Sequence, residues 1–120
     1  IIKKENSKKS RIKEQIKNHA LGSSPEECCG FLIDSEEGPL KLTECKNIAN
    51  DKESFFKISI EEYLNALTDG DITAVYHSHT KGENSFSEVD KSLVDDLEMI
   101  SVLYNTTTDE FEILRPETDE

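Results

Sequence analysis

His77 and His79 stand two residues apart, and Ser87 and Asp90 follow closely. On a strand, residues i and i+2 share a face about 7 Å apart at Cα. Two imidazoles so placed can reach one ion at roughly 2.0–2.1 Å. Asp90, eleven residues after His79, can supply a third ligand. Three N/O ligands leave one position of a tetrahedral zinc for water, which marks a catalytic site rather than a closed structural one.

These residues need elements to hold them. Ile72-Thr73-Ala74-Val75-Tyr76 is β-branched and aromatic and leads directly into His77, so a strand ending near His79 is expected. Asp69-Gly70-Asp71 before it is a turn signal, and Thr80 to Ser85 reads as loop. Ser87-Glu88-Val89-Asp90 has the form of a capping box, and Val89, Leu93, Val94, Leu97 and Ile100 follow at helical spacing. Asp90 then falls in the first turn of a helix, aimed at a cation beside the strand end. Ser87 and Asp90 fit an ordinary helix cap equally well, and the residues alone leave both readings open.

A water activated by a metal needs a base that is not itself a ligand. Glu27 offers one, at the head of the apolar, strand-like run Cys28 to Ile33. An acid there is costly to bury unless it has a partner or a task. A solvated acid at a strand end is the plain alternative.

Taken together, Glu27, His77-x-His79, seven residues, Ser87, two residues and Asp90 resemble the JAMM motif, the signature of JAB/MPN-type zinc metallopeptidases. Glu-x-Cys-Gly around Glu27 resembles the bacterial and phage members. Cys45 to Asn50, Phe55-Phe56-Lys57-Ile58 and Glu62-Tyr63 resemble the phage group more closely still, where such a domain precedes a papain-like cell-wall peptidase domain in tail-assembly proteins. The likeness runs over about residues 12–115. It implies that His77, His79 and Asp90 bind Zn²⁺ with water as fourth ligand. Glu27 would take the proton of that water and pass it to the leaving amine, and Ser87 would donate to the oxyanion. Many relatives have proline where this chain has Thr80. The resemblance also implies a protein or peptide substrate with an extended tail, often ending in glycine, bound by strand addition. The 49 residues between Glu27 and His77 leave little room for the insertions that grip ubiquitin chains. A phage tail-assembly protein or a sulfur-carrier-processing enzyme fits better, and the likeness around Cys45 favours the phage setting.

At 120 residues the chain is read as a single domain, residues 1–120, with a basic segment at 1–11. It begins Ile1-Ile2, without an initiator methionine, so we read it as processed, trimmed or incomplete; the cell-wall peptidase domain of the phage proteins has no room in these 120 residues, and a C-terminal domain could be missing from the sequence. The net charge of −12 is uneven: residues 1–18 carry seven Lys/Arg against two Glu, and the rest seven against 24 acids. So acidic a body argues against a nucleic-acid partner. The basic start reads as a solvated helix or frayed end, or as a dock for something acidic. Cys28, Cys29 and Cys45 make no disulfide framework; packed thiols and a reducing cytoplasm are expected, or a virion if the protein is a tail component. No apolar run approaches a membrane span. Asn105-Thr106-Thr107 fits a glycosylation sequon that, without a secretory signal, we read as chance.

The predicted order is helix 8–21, strands 28–33 and 39–46, a strand at Phe55–Ile58 and a helix capped by Ser59 and running to about Leu67. The histidine strand, the Asp90 helix and strands 100–105 and 110–114 follow. That order suggests an α+β layered domain. The resemblance implies the MPN fold, a curved mixed sheet between helices. Two other functions compete with a zinc peptidase or isopeptidase. One is a non-catalytic assembly module that keeps the fold. The other is a cysteine hydrolase using Cys28 or Cys29, which needs an exposed thiolate that a core strand would deny. His19, late in the first helix, is a poor third ligand.

Overall fold

The structure, a computed structural model, describes residues 2–35, 39–81 and 99–116. Ile12, Ile16 and Ala20 recur every four residues, so one helical face is apolar. That face belongs to α1 (Ile2–Ser23), on which Ile16 and Ala20 are fully buried. The helix begins earlier than position 8 because Gly and Pro are absent from the first 21 residues. It stops just before Pro25, as expected.

The strands are β1 (Cys29–Asp34), β2 (Lys41–Cys45), β3 (Asp71–His79), β4 (Ile100–Asn105) and β5 (Glu110–Leu114). They form one sheet in the order β2-β1-β3-β4-β5. Only β3 and β4 run parallel; the other neighbours are antiparallel. The helix α2 (Ile60–Asp69) follows Ser59, whose hydroxyl accepts from the Glu62 amide at 3.2 Å. This α+β fold, a mixed sheet with a helix on each face, agrees with the layered domain expected from the sequence.

Alternation along the strands builds two cores. Cys28, Leu32, Ala74, Tyr76 and Tyr104 pack under α1 with Ile16 and Ala20. Cys29, Phe31, Ile33 and Cys45 face the other way, with Ala66 of α2, Phe56 and Ile58. Between the pairs Leu32↔Ala74 and Ile33↔Ile72 the register skips one residue of β3. That bulge carries Ile72 to the α2 side. Lys17 meets Asp109 at 3.1 Å and Lys13 lies over the Phe111 ring, so part of the basic start is used within the chain.

One expected strand is absent. Phe55–Ile58 is extended but joins no ladder. Its backbone is held instead by Asn47, whose Oδ1 accepts from the Lys57 amide, and by the Ile48 amide donating to the Lys57 carbonyl. The Asp90 helix lies outside the described residues. Among those described, no helix is long and apolar enough to cross a membrane.

Candidate metal centre

Cys29 of β1 pairs with His77 of β3. One step further the Ser78 amide donates to the Cys28 carbonyl at 3.1 Å, and the Cys28 amide donates to Ser78 Oγ at 2.8 Å. Continuing that register sets Glu27 beside His79. Because side chains alternate, Glu27, His77 and His79 share one face while Ser78 serves the other. All three are buried, with one ligating atom from each within 4.8 Å of the others. The sequence separates Glu27 from the histidines; the antiparallel pairing of β1 with β3 brings them together.

The two imidazoles suit a zinc ion, and the Glu27 carboxylate lies close enough to meet such an ion or a water bound to it. Bonds of about 2.0–2.2 Å allow two ligands of one ion to lie at most about 4.4 Å apart. A pair at the 4.8 Å limit would have to close by a few tenths of an ångström to hold one ion directly. His77 is held by stacking on Phe56, with ring centroids 4.5 Å apart and planes 21° from parallel. Its ring meets that of His79 edge-on at 5.1 Å. The His79 carbonyl accepts from the Thr106 amide at 3.0 Å, which ties the end of β3 to the turn after β4.

Glu27 is fixed through its backbone. Its amide donates to the Lys52 carbonyl at 2.8 Å, and its carbonyl accepts from Asn47 Nδ2 at 2.9 Å. The Thr80 hydroxyl, at the position where the resemblance leads one to expect proline, donates to the Pro25 carbonyl at 2.8 Å. A hydrogen bond thereby ties the loop exit that a ring would stiffen. Ser87 and Asp90 lie outside the described residues.

Asn47, Phe56 and Asn105 were not singled out from the sequence as site residues. Asn105 is almost fully buried next to His79 in register, and its Oδ1 accepts from the Thr107 and Thr108 amides. A side chain so enclosed in the folded chain is no glycosylation acceptor. His19 is on the opposite face, 2.7 Å from the Tyr76 hydroxyl, and takes no part in the site. Cys28 and Cys29 belong to opposite cores, as alternation requires. Burial pushes the Cys28 thiol up to about 11 and raises Cys29 further. Neither is an activated nucleophile.

Comparison with known proteins agrees with this geometry. Residues 9–115 match the family described as prokaryotic homologs of the JAB domain. The chain is 30% identical over 82 residues to tail tip assembly protein K of Escherichia phage N15, covering 68% of this chain and 33% of that protein. The chain thus spans about a third of the length of that relative. The solution structure of protein DSY2949 from Desulfitobacterium hafniense superposes with a TM-score of 0.66 at 19% identity, covering 89% of this chain and 88% of the other.

Proposed function

Since the chain belongs to the prokaryotic JAB-domain family, we propose that it is a zinc-dependent peptidase or isopeptidase acting in phage tail assembly or a related bacterial setting. The observation that carries this is the buried Glu27–His77–His79 group, with ligating atoms within 4.8 Å of one another. A zinc ion bound there would polarise the scissile carbonyl and acidify a water. His77 and His79 would hold the ion, with Asp90 as third protein ligand. Glu27 takes the proton of the attacking water as the C–O bond forms, then returns it to the amine as the C–N bond breaks. Ser87 donates to the oxygen that gains charge. Phe56 keeps the His77 ring in place and excludes water from one side. The substrate in this reading is an extended peptide tail.

A second reading, an assembly module without catalysis, is favoured by the name of the phage relative, a tail tip assembly protein. Zinc content and one substitution separate the two. Plasma mass spectrometry should find one zinc per chain, lost in His77→Ala. Glu27→Gln should keep the ion and the fold, lose cleavage and leave tail assembly intact only if assembly needs no cleavage. No metal in the wild type, even with zinc supplied, would sink the peptidase reading.

A further inference from the structure

Asn47 is buried, and every polar atom of its amide is used. Nδ2 donates to the carbonyls of Glu27 and Phe55, each at 2.9 Å, with the Lys52 carbonyl at 3.4 Å. Oδ1 accepts from the amides of Ala49 at 3.0 Å and Lys57 at 3.1 Å. Flipping the amide would set an oxygen against three carbonyls and a nitrogen against two amides, so the neighbours dictate its orientation. Lys52 in turn accepts from the Glu27 amide. One side chain therefore gathers the segment 47–57 and binds it to both sides of the Glu27 peptide.

Glu27 needs such a holder. It lies two residues before β1, beyond the paired register of the strand. Its carboxylate must nonetheless meet two imidazoles fixed on β3. We propose that Asn47 is a positioning residue, setting the place of the Glu27 carboxylate relative to His77 and His79 by clamping the Glu27 backbone. Asn47 touches neither imidazole nor substrate in this role; it acts through Glu27. Its link to metal chemistry rests on the function proposed above, whereas the clamp itself does not.

Residue-resolved amide exchange by NMR tests the clamp on the metal-free chain. Asn47→Ser keeps a hydroxyl for the local Ala49 amide but cannot reach the Glu27 or Phe55 carbonyls. Exchange at Glu27 and Lys57 should rise at least tenfold, while Ser78 and Thr106, held by Cys28 and His79, keep their protection. Equal loss of protection at all four, or none at Glu27, would overturn the proposal. If the serine variant does not fold, Asn47→Asp, which keeps the acceptor of the Lys57 amide and loses the donor to the Glu27 carbonyl, should raise exchange at Glu27 while Lys57, Ser78 and Thr106 stay protected, and unchanged exchange at Glu27 would overturn the proposal.

Cobalt(II) substitution tests the link to the site. The visible band should shift in Glu27→Gln and shift the same way in Asn47→Ser, and the double variant should match Glu27→Gln alone. An unmoved band in Asn47→Ser or in Glu27→Gln, or additive shifts in the double variant, would overturn the positioning role. Failure of the wild type to take up cobalt or zinc would instead refute the function proposed above, and the exchange result would still decide the clamp.

Discussion

Gly30→Ala should damage this fold more than any other single methyl in β1. Gly30 pairs with Glu44 on one side and Tyr76 on the other. A Cβ there would overlap the Thr43 carbonyl oxygen and the Tyr76 ring. Neither yields easily. The carbonyl is ladder backbone, and the ring is fully buried with its hydroxyl tied to His19. Overpacking a core costs about 1–3 kcal/mol, and losing the His19–Tyr76 hydrogen bond adds about 1 kcal/mol. A loss of about 3 kcal/mol is a large part of the roughly 5–15 kcal/mol that holds a domain together. With a urea slope of about 1–3 kcal/mol/M, the unfolding midpoint should fall by roughly 1–3 M at unchanged slope. Tyr76→Phe separates the terms, since it removes only the hydroxyl and should cost about 1 kcal/mol. If zinc binds at His77 and His79 as proposed, its affinity should also fall in Gly30→Ala, because Tyr76 precedes His77 in β3. A midpoint within about 0.3 M of wild type, a change worth less than roughly 1 kcal/mol, would refute the reasoning.

Other consequences follow from the same contacts. Ser78→Ala strands the buried Cys28 amide that donates to Ser78 Oγ, and should cost about 1–3 kcal/mol in urea unfolding; an unchanged midpoint would show that another acceptor replaces the hydroxyl. Burial holds the Cys28 thiol at about 11 and Cys45 at about 12. A disulfide reagent at pH 8 should therefore leave the native thiols intact over minutes and titrate all three in denaturant; rapid native labelling would contradict the packing. Burial lowers the pKa of His19, with Glu44 opposing that shift. The unfolded chain then binds the proton more readily, so the stability this neutral histidine lends is present above about pH 6.5 and is lost as pH falls through the folded value. His19→Gln should flatten the decline in urea midpoint between pH 7.5 and 5, and equal slopes in both proteins would reject the assignment.

Legibility in the sequence followed the locality of the physics. The ends of β4 and β5 and the Ser59 cap were readable because strand propensity, turn residues and N-cap chemistry act over a few neighbours. The shared face of His77 and His79 follows from a period of two. Phe55–Ile58 had the composition of a strand and is not one, because composition says nothing about whether an edge is free to pair. Its hydrogen bonds went to an asparagine side chain instead. Asn47 lies in the stretch Cys45 to Asn50 that resembles the phage group, but nothing there marks it as a clamp: a polar residue between Lys46 and Ile48 has no periodic signature, and its partners lie up to 20 residues away. The sequence pointed to Glu27 by motif, while its closeness to His79 depends on β1 pairing with β3 across two intervening elements.

That dependence also explains where the buried polarity lies. Among the described residues, the buried polar side chains Glu27, Asn47, His77, Ser78, His79 and Asn105 gather at one end of the sheet, with Ser101 deeper in the ladder. At a strand end the ladder runs out, and backbone amides and carbonyls there need other partners. Ser78 supplies one for Cys28, Asn47 for Glu27, and Asn105 for the turn that holds His79. A site at mid-strand would have its backbone satisfied by neighbours, but its side chains would be covered by the opposing helix. Placing Glu27, His77 and His79 at the end makes polar side chains do the work of the missing ladder. The asparagines and Ser78 are therefore as much a part of this site's construction as its ligands, and an inventory of metal-binding residue types would pass them over.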